Sequence, residues 1–265
     1  VTIPSGVTLR VLEGATIKPA SGVTITINGS FEAPLTQVFD TSAGGTIAFG
    51  SGAVERVLPQ WWGAKGDGAT DDTTAIQKAL DAAGARGGGV VFIPPSANGY
   101  VLRGTLEVPD GVILLGSGAA GKLLVPADHN FTGYEDHVDA SAQHGKLLEA
   151  IITNKNHTNG YGVRIQNIYL DGQNNLEDGQ PLAGIMLKNA SFCEVSRCVI
   201  KNLGIGFDIS NRQRYYDILL FTTTDSLVAW NECHPVTYEN IGVRYRSQRN
   251  RVIGNYCLQA GAPNT

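Results

Sequence analysis

No apolar run in this 265-residue chain approaches the roughly 18 residues that cross a bilayer as a helix, so a helical membrane span is excluded. Charge is scarce too. Only 17% of residues are Asp, Glu, Lys or Arg, and their formal sum of −4 gives no basic field to draw in nucleic acid. The four cysteines, Cys193, Cys198, Cys233 and Cys257, lack the paired spacing of a zinc site, and a chain of this length needs no disulfide framework. They read as free, mostly packed thiols, with one disulfide as the alternative. Helix-forming sequence is equally thin, because 33 glycines break the chain into short pieces. With 42% hydrophobic residues the chain is also too apolar for disorder.

What remains is a succession of short strands and turns. Val7–Val11 and Val23–Ile27 alternate apolar and polar residues and are separated by Gly14, Pro19 and Gly22. Residues 1–55 therefore read as an N-terminal β-cap or early coils, and 56–265 as the main unit, entered by an extended link at Pro59. Trp61 and Trp62 at that junction read as packing between the two parts rather than as a sugar platform.

One helix is predicted. Asp71 or Asp72 can accept bonds from its first free amides, Ile76, Ala79, Leu80 and Ala83 form an apolar stripe, and Gly84 supplies a stop. Residues 119–160 are polar, hold four of the five histidines and read as a long excursion of the functional kind. After it, Gly184–Asn189 aligns without gaps on Gly242–Ser247, and Gly206–Asn211 fits the same template one coil after the first. Repetition of this kind marks a solenoid, whose core is added coil by coil.

The segment Trp62–Gln77, followed by Gly87–Pro94 and Gly111–Gly118, resembles the N-terminal signature of the pectate-lyase superfamily, with its rhamnogalacturonase-like, epimerase-like and tailspike members. The resemblance implies a right-handed, single-stranded parallel β-helix that works on polysaccharide, at a cell or virion surface or outside the cell. It brings no catalytic set. The Asn-Thr-Asp, Gly-His-Gly and Arg-Ile-Lys strings of polygalacturonase-type members are not found, and Cys233-His234-Pro235 does not match the Asp-Pro-His of epimerase-like members.

Candidate chemistry must then come from the strand pattern. Period-two alternation turns Ile185, Leu187, Phe207, Ile209, Val243 and Tyr245 inward, and sets Met186, Asp208 and Arg244 in one outward ladder with Lys188, Ser210 and Arg246 in the next. Trp230, from a coil between them, is expected on the same face. In this groove Asp208 is a candidate acid, base or calcium ligand; Arg244, Arg246 and Lys188 suit a uronate, and Trp230 suits a pyranose ring. The same Asp and Arg residues also fit plain salt-bridge ladders. Glu232 and His234 form a second candidate proton-transfer pair, with a turn histidine before Pro235 as the structural alternative.

Three decoys have simpler readings. Gly116–Lys122 has phosphate-loop spacing, but Leu123 stands where a magnesium-holding hydroxyl belongs and Pro126 cuts off the required helix. Asp67, Asp71 and Asp72 suggest calcium less than turns and capping, so no metal or other cofactor is expected. Asp171 in Leu170-Asp171-Gly172 reads as a turn residue.

Together these features point to a polysaccharide-binding chain that cleaves an acidic glycan by β-elimination, since the paired acids of a hydrolase are not evident. The alternatives are an adhesin or phage spike that only holds glycan, and a structural filament subunit. Because no cover for the last coil is visible in the sequence, more chain, a trimeric assembly or end-to-end stacking is expected there.

Overall fold

The computed structural model describes residues 1–134, 148–174, 182–203, 215–236 and 239–258. Within these residues the chain winds as a parallel β-helix with three sheets. The long sheet consists of Leu106–Val108, Leu148–Asn154, Leu182–Lys188, Tyr215–Phe221 and Glu239–Arg244, with Gly133–Tyr134 added antiparallel beside Leu148. A middle sheet runs from Arg56–Val57 to Arg251–Ile253, and a third from Asp67–Asp71 to Tyr256–Cys257, each of seven strands. From Leu106 onward each coil visits long, middle and third sheet in turn, whereas between Asp67–Asp71 and Gly89–Phe92 a helix stands in place of a long-sheet strand.

Register stacks like on like. Ile152, Ile185, Ile218 and Ile241 form one inward column, Val195 lies under Val228 and Val252, and Ile200 under Cys233 and Cys257. Of these, Ile152, Ile185, Ile218, Val195, Val228, Ile200 and Cys233 have no solvent exposure. Burying each large aliphatic side chain contributes about 1.5–3 kcal/mol, and the columns repeat that gain rung after rung. Val243 stands in register over Leu220 but is 46% exposed, because no described rung lies above it.

The repeat is less regular than the sequence alignment implies. Ile185 pairs with Ile218 and Ile218 with Ile241, so the first of these two coils takes more chain than the second. Met186 thus shares a row with Leu219 and Gly242, and Lys188 with Phe221 and Arg244, whereas the alignment paired Met186 with Arg244. An even slip of this kind preserves which residues face inward, so the hydrophobic pattern cannot reveal it. The strand that follows Leu182–Lys188 in the long sheet is Tyr215–Phe221. Gly206–Asn211, and with it Asp208, lies outside the described residues.

Residues 1–55 also pair their strands in parallel from coil to coil. Thr24 pairs with Thr46 and Leu9 with Phe31, both in parallel and both across a coil of the same length. Phe31, Phe39 and Phe49 pack against Trp61 and Trp62, with ring centroids 5.0–6.5 Å apart, and so join these coils to the rest.

The helix spans Thr73–Ala85 and buries Ile76, Ala79, Leu80 and Ala83 completely. Asp71 accepts from the Thr73 amide and hydroxyl at its start. Asp72 occupies the cap position but turns away, taking the amides of Lys65 and Gly66 at 2.7 and 3.1 Å. Gly84 is not the stop; it lies within the helix, where an added Cβ would meet Pro109 at 2.6 Å. The glycines of the phosphate-loop decoy have a packing role as well: a Cβ on Gly116 would lie 2.3 Å from the Asn167 carbonyl of the next coil.

The expected excursion at 119–160 contains the long-sheet strand Leu148–Asn154. That strand shows little alternation because both of its faces are covered, a pattern that parallel sheets produce.

Candidate active site on the outer face of the long sheet

The outward residues of the long sheet do not form a bare polar ladder. Ala150, Ala183, Met186, Tyr216, Leu219 and Phe221 make a second buried cluster, with Tyr134 packed against it. Polar groups gather at one margin of this apolar patch, toward the strand ends.

Tyr134 is carried there by the short antiparallel strand beside Leu148, and its hydroxyl lies 3.2 Å from Glu107 Oε1. Glu107 and Thr153 are register partners on neighbouring rungs. The loop after Leu148–Asn154 brings His157 back over the sheet, where its Nε2 sits 3.1 Å from Thr153 Oγ1 and its ring meets Tyr134 edge-on at 4.5 Å. Lys188 completes the group, with its ammonium 6.0 Å from the Tyr134 ring centre and 5.7 Å from that of Phe221.

Asparagines hold these parts in place. Asn154 accepts from the Lys188 amide at 2.7 Å and donates to its carbonyl at 2.9 Å, while Asn189 donates to the His157 carbonyl at 2.7 Å. Such bonds fix the backbone of both functional side chains from neighbouring rungs.

Burial sets the protonation states. It pushes the Tyr134 phenol well above its ordinary value, and the charge of Glu107 adds to the effect. Burial, followed by the positive charge of Lys188, lowers the pKa of His157, so its imidazole is neutral at neutral pH. A neutral imidazole, a protonated phenol and an ammonium therefore share one margin of the sheet. This is a proton acceptor, a proton donor and an anion-stabilising charge. Among the described residues no group of three His, Cys, Asp or Glu side chains has the arrangement of a metal site.

The residues singled out from sequence separate onto different faces. Lys188 and Arg244 share a row, with Phe221 between them, and Arg244 pairs with Glu239. Arg246 is exposed in the turn that follows. Trp230 does not join them. It lies at the corner between middle and third sheets in the left-handed conformation, φ 55°, with the Arg197 guanidinium 5.4 Å from its ring centre. The sequence placed it on an extended strand, but the strand ends at Ala229 and the chain turns. Glu232 and His234 do meet, Oε1 to Nε2 at 2.8 Å, but on the third sheet. Glu107, Tyr134 and His157 were not selected from sequence; the one signal that pointed toward them was the clustering of histidines in 119–160.

The chain is 33% identical over 140 residues to mannuronan C5-epimerase AlgE3 of Azotobacter vinelandii, which covers 49% of the chain and 8% of the epimerase. It is 50% identical over 56 residues to alginate lyase 7 of the same organism, covering 21% of the chain and 6% of the lyase. To the tail spike protein of Shigella phage Sf6 it is 35% identical over 102 residues, covering 37% and 16% of the two chains. The solved A-module of the Azotobacter vinelandii epimerase AlgE6 superposes with a TM-score of 0.48 at 20% identity, over 75% of this chain and 56% of the module. The chain thus spans no more than a tenth of the length of the two epimerases AlgE3 and AlgE1. A family model matches residues 61–203, a range that includes Glu107, Tyr134, Thr153, His157 and Lys188, and the chain belongs to the family it describes: rhamnogalacturonase A/epimerase, pectate lyase-like.

Proposed function

We propose that the protein binds an acidic polysaccharide at the margin of the long sheet's outer face, where Glu107, Tyr134 and His157 are half-buried, and cleaves it by β-elimination. The observation that carries this reading is the convergence of Tyr134, His157 and Lys188, from three separate segments, at one margin of a buried apolar cluster. A uronate ring needs three things for elimination. Its carboxylate must be neutralised so that the adjacent C5 proton becomes acidic, a base must take that proton, and a donor must protonate the departing O4. Lys188 supplies the charge, His157 the base and Tyr134 the donor. Glu107 and Thr153 orient the phenol and the imidazole. The relatives named for mannuronan and alginate support a uronate polymer as the substrate class. Such polymers lie outside cells, which puts the protein's work in the extracellular space or on a cell or virion surface.

The test is incubation with polymannuronate, polyguluronate and polygalacturonate, each with calcium and with chelator, followed by the ultraviolet absorbance of unsaturated chain ends. His157→Ala and Tyr134→Phe should each lower the rate about 10²- to 10⁴-fold while the fold, read by circular dichroism, is unchanged. Reducing ends without that absorbance would replace elimination by hydrolysis. Inversion at C5 seen by NMR, without chain cleavage, would leave the same proton abstraction but remove the leaving-group step.

A second reading, glycan holding without turnover, is favoured by Lys188, which is only 8% exposed beneath its aromatic neighbours. The tail spike relative fits it. Saturable binding with no new ends in any of the three polymers would select this reading.

A further inference from the structure

We propose that the outer face of the third sheet, from Tyr169 to Tyr256, is a separate binding strip for a neutral saccharide chain. Tyr169, Val199, Glu232 and Tyr256 stand in register on four successive rungs, and Asp171 and Lys201 in the row beside them. His234 joins that second row, because its amide donates to the Ile200 carbonyl. Successive rungs are about 4.8 Å apart, so the strip is about 14 Å long, the length of a short oligosaccharide.

Its chemistry differs from that of the long sheet. Each charge on the strip has a local counter-charge or partner: Lys201 Nζ lies 3.3 Å from Asp171 Oδ2 and 5.1 Å from the Tyr169 ring centre, and Glu232 meets His234 at 2.8 Å. With His234 neutral the strip carries one net negative charge, and with His234 protonated it carries none. Neither state attracts a polyanion. What the strip does offer is a row of fixed donors and acceptors flanked by aromatic plates, of which Tyr256 is 62% exposed. Pyranose rings have the matching character, with hydroxyls at the edge and an apolar C–H face. Holding the four polar groups in two mutual pairs also fixes their rotamers before a ligand arrives, which lowers the entropy cost of binding.

The strip does not depend on the acid–base cluster, so the two fail separately. The experiment is affinity electrophoresis of the full chain through gels containing dextran, galactomannan or hydroxyethylcellulose, at low and high salt. At least one neutral polymer should retard the wild type equally at both salt concentrations, and His157→Ala equally well. Tyr256→Ala should lose at least tenfold in apparent affinity, and Tyr169→Ala should weaken it as well. Retardation by none of the neutral polymers overturns the proposal, as does retardation that survives both tyrosine substitutions. Retardation abolished by salt would show a charged ligand and overturn the neutral class. Turnover of uronate polymers by Tyr256→Ala at the wild-type rate would confirm that the strip is distinct from the site on the long sheet.

Discussion

Replacing Asp217 by Asn should make the protein's stability less sensitive to pH. Asp217 has no solvent exposure; its Oδ2 accepts one hydrogen bond, from Asn240 Nδ2 at 2.8 Å, and no hydrogen bond reaches its Oδ1 among the described residues. Burial pushes the carboxyl pKa well above its ordinary value. An unfolded Asp ionises near about 3.9, so between that pH and the higher folded pKa the native state holds a proton that the unfolded state has released. Folding then takes up a proton, and stability falls as pH rises by about 1.4 kcal/mol per pH unit. From pH 5 to pH 7 this amounts to about 2.7 kcal/mol for as much of the range as the folded carboxyl stays protonated. In a chain of this size that is roughly 5–11 °C in Tm. Asn keeps the acceptor for Asn240 and carries no titrating proton. Thermal unfolding of wild type and Asp217→Asn should give nearly equal Tm values below pH 4 and a gap in favour of the variant that widens toward neutral pH. Parallel curves from pH 4 to pH 8 would refute the assignment of a buried, proton-holding carboxyl.

Ile185→Ala removes the middle of the column formed by Ile152, Ile185 and Ile218 and should cost about 2–5 kcal/mol, measured by denaturant unfolding. A thiol reagent should modify Cys257 first in the native protein and the other three cysteines only on unfolding, as counted by mass spectrometry. Cys193, Cys198 and Cys233 are buried and unpaired by disulfides, and burial pushes the thiols of Cys193 and Cys198 up to about 11 and about 12.

The amino-acid sequence by itself determined that this chain is a parallel β-helix with one helix packed by Ile76, Ala79, Leu80 and Ala83. The helix and the solenoid repeat are local, following from the helix and strand periodicities and from glycines at turns, whereas the parallel β-helix was implied by the resemblance carried by Trp62–Gln77, Gly87–Pro94 and Gly111–Gly118. It also determined the inward residues Ile185 and Leu187, since alternate residues on a strand share a face, and the packing of Trp61 and Trp62. Only the tertiary structure decided which rungs adjoin. An even slip leaves the hydrophobic pattern intact, so sequence placed Arg244 beside Met186, whereas the fold sets it in the row of Phe221 and Lys188. Glu107, Tyr134, His157 and Lys188 are far apart in the chain and follow no common period. They meet because a short antiparallel strand and a loop fold back over the sheet, a contact that depends on where neighbouring coils lie and on which faces they leave to be covered.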